Sequence, residues 1–503
     1  MLTTLAVIAL AAAPRCVEVL SVAGLHGRTE ALPRLAAEVE AARAEGDALV
    51  VAAGDVLFGT AEADFTEGQA VAAGLEALGV SAAAVGDQEF GQGWETLRAR
   101  VAGTRFPWLA ANLKEAGTGA LPRWKNLRSG SIVTMPSGLA VGIVGIAPAE
   151  GRALVPPGRV RGLEFGDEAP AAAVAARTLR RDGADLVLVV AHVGASCPEG
   201  ARDPAACQDS ALFRLAQELG DAVDGIVAGH SHRSLALEVG GVPVVQAPGK
   251  GERLARLTLC EKGGAGQVAA REPTPGAGGD APDGGSGRGG DRPAAAYRRG
   301  VLPATVEAAV GPFVAMARIE AERELGASLE APLAREAPSG GARSLGVAAA
   351  AALRRAGGAS FGVVPAAALR ADLPAGKVTA GALREAFPAP DRLVVAAVEG
   401  WEVEALVRAA GAGGGGGPAE ASFAGLAVGA DGTVTGCDGA PLEARKVYRL
   451  AASEDASAGA GEVARALAAL PPERVELVGG TTREAVAAWL RSAPGGRVAE
   501  GCP

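Results

Sequence analysis

The chain has 503 residues, and 49% of them are hydrophobic, which is enough apolar material for packed cores in two or three domains. Its formal net charge of −9 argues against nucleic acid or an anionic membrane surface as the main partner. The composition therefore indicates an acidic globular protein that acts on something other than nucleic acid.

The first predicted element is a short apolar run from Leu2 to Ala13, which closes on an Ala-x-Ala pattern before Pro14. It is too short to span a bilayer as a helix and is typical of the apolar part of a signal peptide, here residues 1–13. The competing interpretation is a first buried strand or helix, although we expect the first strand of the fold to begin at Val17. We therefore expect an exported protein, periplasmic or extracellular, without a stable membrane anchor.

Six cysteines fit an exported protein that contains disulfides. Cys197 and Cys207 flank one polar loop and could close it. If each domain pairs its own cysteines, the remaining pairs are Cys16 with Cys260 and Cys437 with Cys502. Connectivity does not follow from the sequence alone.

Residues of the types that bind metals follow several predicted strands. A first helix is expected at 30–45. Apolar runs at 48–53, 82–85, 185–190 and 224–228 each lead into a polar segment, as does the first strand. In chain order these segments supply His26, Asp55, Asp87, His192, His230 and His232. The chain has four histidines, and all of them lie in this set.

The order and spacing of this set favour a metal site, although a single Gly-Asp is usually a turn and a single His is usually a core or surface residue. Open α/β sheets place their sites at the carboxyl ends of strands, so we expect the six side chains to meet at one edge. Mixed imidazole and carboxylate ligands without a nearby cysteine suit zinc, manganese or iron better than a structural zinc site.

The composition changes sharply after residue 262. Residues 263 to about 299 are rich in Gly, Pro and Asp and too poor in apolar residues to pack, which predicts a linker. A helical stretch from Ala304 to Leu325 then leads into a second domain, and Gly411 to Gly417 predicts a flexible loop within it. We predict domains at 14–262 and 301–503, joined by a linker at 263–300.

The series of segments resembles the calcineurin-like metallophosphoesterases and, within them, the bacterial 5'-nucleotidase and UDP-sugar hydrolase family. The matching segments are Gly24-Leu25-His26-Gly27, Gly54-Asp55, Gly86-Asp87-Gln88-Glu89-Phe90-Gly91, His192-Val193-Gly194, Gly229-His230-Ser231-His232, Leu109-Ala110-Ala111-Asn112-Leu113 and Arg370-Ala371-Asp372-Leu373-Pro374-Ala375-Gly376. The resemblance implies an α/β fold. Its N-terminal part would be a two-sheet α/β/β/α metallophosphoesterase sandwich, followed by a smaller C-terminal α/β nucleotide-binding domain.

The resemblance also implies two metal positions. One would use residue 24, His26, Asp55 and His232, and the other would use Asp55, Asp87, His192 and His230. The family has Asp at the first of these positions, where this chain has Gly24, and Asn where it has Asp87. We therefore expect one tightly bound divalent metal (Mn, Zn, Fe or Co) at the second position and a weaker one at the first.

The family motif places Asp87 and Gln88 at catalytic positions. Gln88 stands where the family has a His that is thought to stabilise transition-state charge or assist the leaving group. An amide can donate a hydrogen bond to phosphate but has neither a positive charge nor a transferable proton. Loss of such a positioned acid costs on the order of 10² to 10⁴ in rate, so we expect slow turnover.

The segments that bind the nucleotide in the family are also altered. The family has an Asn-Ser-Gly-Gly-Ile-Arg segment, of which this chain keeps only the Arg, Arg370. This residue is either a substrate-binding site for an anion or an ordinary surface Arg. Ala389 and Asp455 stand where the family has two stacking aromatic residues. Stacking is worth about 1–3 kcal/mol per base, so nucleotide affinity should be weakened by orders of magnitude.

We therefore expect a metal-dependent phosphomonoester hydrolase with weakened activity on nucleotides or related small-molecule phosphoesters. The alternative is an exported pseudoenzyme that keeps the fold and one metal site to bind a ligand or a partner.

Overall fold

The computed structural model describes residues 14–198, 201–208, 210–261, 270–271, 301–335, 344–411, 420–429, 431–457 and 461–493. The predicted signal peptide lies outside these ranges, as do nearly all of the predicted linker and of the 411–417 loop. Two residues of the linker, Ala270 and Arg271, form a short strand paired with Arg256 and Leu257. That stretch was predicted not to pack, and backbone pairing with an edge strand accounts for the difference.

The N-terminal part contains two β-sheets flanked by helices. Its described strands are β1 (Cys16–Val22), β2 (Ala48–Ala52), β3 (Ala82–Ala84), β4 (Trp108–Leu109), β5 (Leu113–Glu115), β6 (Leu127–Arg128), β7 (Gly130–Thr134), β8 (Ala140–Ile146), β9 (Leu163–Phe165), β10 (Leu186–Ala191), β11 (Gly225–Ala228), β12 (Leu235–Val239), β13 (Val242–Gln246), β14 (Ala255–Cys260) and β15 (Ala270–Arg271). Its described α-helices are α1 (Leu32–Glu45), α2 (Ala61–Phe65), α3 (Gln69–Leu78), α4 (Trp94–Gly103), α5 (Gly151–Leu154), α6 (Glu168–Arg181) and α7 (Ala211–Leu219).

The two sheets pack face to face. One has the order β15-β14-β1-β2-β3-β4-β6, and the other has the order β12-β13-β11-β10-β8-β7. Alternate residues of β1 explain the layers, because Val17 and Val19 enter the core between the sheets while Leu20 and Val22 enter the core beneath the helices. A third core lies between the second sheet and α6 and α7. This α/β/β/α arrangement confirms the predicted fold.

The C-terminal part is a smaller α/β unit. Its described elements are α8 (Val301–Glu322), β16 (Glu324–Leu329), α9 (Leu345–Ala356), β17 (Phe361–Pro365), β18 (Gly376–Thr379), α10 (Ala380–Ala386), β19 (Arg392–Glu399), α11 (Gly400–Ala409), β20 (Ala421–Ala424), β21 (Leu426–Val428), β22 (Val434–Gly436), β23 (Val447–Ser453), α12 (Glu462–Ala468), β24 (Val475–Thr481) and α13 (Thr482–Ser492). Five strands form one sheet in the order β20-β17-β23-β19-β24. Helices α9 and α13 cover one face of it, and α11 and α12 cover the other.

Helix α8 joins the two parts. It was predicted to lead into the second domain, but Val306 and Val310 are buried in the core of the first, against α1 and α3. The sequence could not reveal this because the partners of an amphipathic helix depend on tertiary packing. Within the described ranges, no helix has the length and apolar character needed to cross a membrane.

Two of the three predicted disulfides lie in described residues, and both are confirmed. Cys16 bonds Cys260 and ties β1 to β14, while Cys197 bonds Cys207 and closes the loop after β10. Cys502 lies outside the described residues, and so does the predicted pairing of Cys437 with it.

Candidate metal centre

Six side chains predicted as metal ligands follow five strands. They are His26 after β1, Asp55 after β2, Asp87 after β3, His192 after β10, and His230 and His232 after β11. Strands β1, β2 and β3 are parallel neighbours in one sheet, and β10 and β11 are parallel neighbours in the other. The carboxyl ends of the two sheets therefore face a common cleft.

Four of these residues form a compact group. The Nε2 atom of His192 lies 3.1 Å from Oδ2 of Asp55 and 3.2 Å from Oδ1 of Asp87. The Nδ1 atom of His230 lies 3.4 Å from the same Asp87 oxygen. One ligand atom from each residue lies within 4.8 Å of all the others. Two carboxylates and two imidazoles at this spacing fit zinc, manganese, iron or cobalt.

The electrostatics of the group favour a positive charge at its centre. Burial lowers the pKa of the His192 imidazole, but Asp55 and Asp87 outweigh burial and raise that pKa well above its usual range. Burial raises the pKa of Asp87, and hydrogen bonds with His192 and His230 reverse that effect and lower it. A proton or a metal cation would satisfy this arrangement. The Nδ1 atom of His192 lies 2.8 Å from the carbonyl of Ala53, which directs Nε2 towards the carboxylates.

His26 and His232 form a separate pair on the other side of Asp55. Their Nε2 atoms are 2.8 Å apart, and Nε2 of His26 is 4.0 Å from Oδ2 of Asp55. Burial lowers the pKa of both imidazoles. A Cβ atom at Gly24 would lie 2.8 Å from Nε2 of His232. This half of the site therefore has no carboxylate at position 24, and His232 occupies the space that one would need.

The predicted ligands include several strained backbone positions. His26, Asp55, His230 and His232 have φ angles of +49°, +55°, +79° and +55°. Such conformations cost about 1–3 kcal/mol each for residues other than glycine and persist where the surroundings impose them, typically at functional sites. Their concentration here indicates that the geometry of the cleft has been retained despite the change at position 24.

Glu89 holds the backbone around Asp55 in place, a role that the sequence did not predict. Its side chain is buried and accepts hydrogen bonds from the backbone amides of Asp55, Val56, Leu57 and Gly86, at 2.7 to 3.1 Å. Burial and the nearby Asp55 carboxylate raise the pKa of Glu89 to about 7, although the four amides favour its charged form. Its place two residues after Asp87, in the segment Gly86-Asp87-Gln88-Glu89-Phe90-Gly91, was the available signal.

Gln88 is exposed at the start of a 3-10 turn that spans Gln88–Gln92. Its side-chain amide donates to Oδ2 of Asp87 at 3.1 Å, and its backbone amide donates to Oδ1 of Asp55 at 2.8 Å. The structure therefore joins Gln88 to the ligand group. In this position the amide can stabilise the carboxylates and can present its remaining N–H to a ligand.

The segments expected to bind a nucleotide are not arranged as expected. Arg370 is exposed, and Ala389 is half-buried. Asp455, in place of one stacking aromatic residue, forms an ion pair with Arg159 of the N-terminal part. The same guanidinium lies 2.9 Å from Oδ1 of Asp391, at the end of the Ala389 segment. An Arg between two acids therefore stands where stacking residues were expected.

Arg159 also contacts the 3-10 turn Gln88–Gln92, because its Nη1 atom donates to the carbonyl of Gly91 at 2.6 Å. Its side chain is 15% exposed, and those of Asp391 and Asp455 are 8% and 14% exposed. Burial and the Asp391 carboxylate raise the pKa of Asp455 to about 8, with Arg159 opposing them. The cluster was invisible in the sequence, since Arg159 and Asp391 are 232 residues apart.

Comparison with known proteins agrees with the fold. Residues 319–468 match the family described as "5'-nucleotidase, C-terminal domain". The C-terminal part of the chain is therefore similar to that of 5'-nucleotidases. A 5'-nucleotidase of Vibrio cholerae is 28% identical over 218 residues, which cover 43% of this chain and 37% of that protein. This chain thus spans less than two fifths of the length of that relative.

Two solved structures share the fold of this chain over nearly its whole length. A candidate 5'-nucleotidase of Staphylococcus aureus matches with a TM-score of 0.64 and 14% identity, covering 97% of this chain and 99% of that one. The 5'-nucleotidase precursor of Thermus thermophilus matches with a TM-score of 0.56 and 19% identity, covering 95% and 96%. At these identities the likeness concerns the fold alone.

Proposed function

We propose that this chain is a slow, metal-dependent phosphomonoesterase. Asp55, Asp87, His192 and His230 would hold one divalent cation tightly, and the close approach of their ligand atoms is the observation that carries the proposal. A bound cation of this kind supplies an activated water and polarises a phosphoryl oxygen.

His26, His232 and Asp55 would hold a second cation more weakly. The missing carboxylate at position 24 and the 2.8 Å approach of the two imidazole nitrogens support the lower affinity. Gln88 would donate a hydrogen bond to a phosphate oxygen, with Asp87 fixing the amide. Neither residue supplies a proton to the leaving group, which is why we infer slow turnover.

We infer that the substrate is a small phosphoester and that nucleotides bind weakly. Asp391 and Asp455 are both engaged with Arg159, and the Asp391 carboxylate would disfavour a phosphate beside it. Arg370 remains the candidate for binding an anionic part of the substrate. The two disulfides support an exported, periplasmic or extracellular protein, which an intact-mass measurement before and after reduction would test.

A second candidate function is a pseudoenzyme that keeps one metal to bind a ligand or a partner. The ion cluster around Arg159 favours this candidate, because it joins the two parts of the chain at the place expected for the nucleotide. A ligand would then have to reach the metal without the help of stacking residues.

One set of measurements separates the two candidates. Metal content after exhaustive dialysis should be close to one ion per chain. His230→Ala should abolish this binding, whereas the matched variant His232→Ala should retain it. Two equally tight metals in the native protein would contradict the proposed ligand set.

Hydrolysis of an aryl phosphate should then be assayed with Mn²⁺, Zn²⁺ and Co²⁺. Slow hydrolysis that His230→Ala abolishes would support the phosphomonoesterase. A tightly bound metal without hydrolysis of any phosphoester under these conditions would support the pseudoenzyme.

A further inference from the structure

A second cavity lies in the C-terminal part, away from the metal centre. Its volume is about 390 Å³, within the usual range for small-molecule sites. It is bounded by one face of β19, β23 and β24 and by helix α12, and Pro157, Gly158 and Arg161 of the N-terminal part form its rim. The smaller space beside Arg159 and Asp455 is distinct from it.

The walls of this cavity are aliphatic. Among the described lining residues, none is aromatic, and the main contributors are Val394, Leu450, Ala452, Leu467, Leu470 and Leu477. A nucleobase or other flat ring would find no stacking partner here. Flexible aliphatic walls of this kind favour a hydrocarbon chain, because burial of methylene groups is favourable and requires no specific orientation.

The exposed charged group at the rim is the guanidinium of Arg161. Glu454 is largely buried and accepts from Nε of Arg392 at 2.8 Å, while Arg161 lies 3.2 Å from its other oxygen. Two guanidinium groups therefore face one carboxylate. Arg161 has a side-chain exposure of 65%, against 12% for Glu454, so the accessible charge is positive.

From these features we propose that the cavity binds an amphiphile with a linear aliphatic chain and an anionic head group, such as an alkyl carboxylate. The chain would lie against the walls formed by β19, β23 and α12. The head group would meet the exposed guanidinium of Arg161 at the rim. This site is independent of the metal centre and of the function proposed for it.

Calorimetric titration of the full chain with hexanoate, octanoate, decanoate and dodecanoate tests the proposal. Affinity should rise by about fourfold per methylene until the cavity is filled. Decylammonium should bind more weakly than the corresponding carboxylate, and removal of metal with a chelator should leave decanoate affinity unchanged. Affinity that is independent of chain length, that is equal for both head groups or that disappears with the metal would overturn the proposal.

Matched variants locate the site. Ala468 is exposed and lines the cavity, whereas the adjacent exposed Ala469 does not. Ala468→Leu should weaken decanoate binding at least tenfold, and Ala469→Leu should leave it unchanged. Arg161→Gln should weaken binding, and Arg161→Lys should retain most of it. Equal binding by both alanine variants, with unchanged thermal melting, would place the ligand elsewhere.

Discussion

The ring of His232 occupies the space that a side chain at Gly24 would need. A Cβ atom at position 24 would lie 2.8 Å from Nε2 and 2.9 Å from Cδ2 of His232. Gly24 also has a φ angle of +52°, which glycine adopts at little cost. Loss of the carboxylate at this position is therefore coupled to the placement of a predicted metal ligand.

Restoring the carboxylate with Gly24→Asp should not simply restore the weaker metal position. We expect the variant to lose about 1–3 kcal/mol of stability through backbone strain and the displacement of His232. Gly24→Ala, which adds the Cβ alone, is the control and should lose a similar amount. Urea unfolding and metal content measure both effects. A second tight metal with undiminished stability would show that His232 moves aside readily.

Replacing Gln88 with His should raise turnover. Gln88 is exposed, so the substitution requires little repacking, and a positioned acid is worth on the order of 10²-fold or more in rate. The rate of aryl phosphate hydrolysis is the measurement, with Gln88→Ala as the control that should not gain. Nucleotides should gain less than the aryl phosphate, because Ala389 and Asp455 provide no stacking. If native turnover is already as fast as that of Gln88→His, then Gln88 belongs to a working mechanism of its own.

Glu89→Gln should lower both stability and metal affinity. The new side chain would direct an NH₂ group at backbone amides that now donate to Glu89, leaving donors unpaired in a buried site. We expect a loss of about 1–3 kcal/mol in stability. The backbone of Asp55 would also lose its support. The exposed Glu95→Gln is the control and should melt like the native protein, whereas an unchanged melting temperature for Glu89→Gln would exclude this positioning role.

Removing Arg159 should weaken the docking of the two parts. Arg159→Ala leaves the buried Asp391 carboxylate without its cation, which typically costs about 3–5 kcal/mol. The neighbouring Arg161→Ala removes a mostly exposed guanidinium from Glu454, which keeps its contact with Arg392, and should cost at most about 1 kcal/mol. The midpoint of urea unfolding compares them. Equal effects of the two variants would mean that the Arg159 cluster adds nothing beyond a surface ion pair.

The same cluster predicts a pH dependence of stability. Burial and Asp391 raise the pKa of Asp455 to about 8, so the folded state holds a proton that the unfolded state releases. The free energy of unfolding should therefore fall as pH rises from about 4 towards 8, since the unfolded carboxyl has a pKa near 3.9. Asp455→Asn should flatten this slope, whereas Asp221→Asn, at an exposed position, should not. A slope that Asp455→Asn leaves unchanged would assign the effect to other groups.

The sequence by itself determined the sheet framework and the candidate ligands. Apolar runs that end in Gly-Asp or His predicted β2, β3, β10 and β11, because buried strands are continuous apolar segments and parallel strands end at one edge. The order of the motifs then indicated the family resemblance and predicted the α/β/β/α architecture. These features are local in the chain, or depend only on strand direction, so they can be read without knowing the packing.

Only the tertiary structure decided how the site differs from its family pattern. The filling of the space at Gly24 by His232, the support of Asp55 by Glu89, and the ion cluster of Arg159 all join residues far apart in the chain. The packing of α8 on the first domain also brings together residues that are far apart in the chain. Such contacts follow from sheet order, backbone strain and the docking of two domains, because these fix which distant side chains share one small volume.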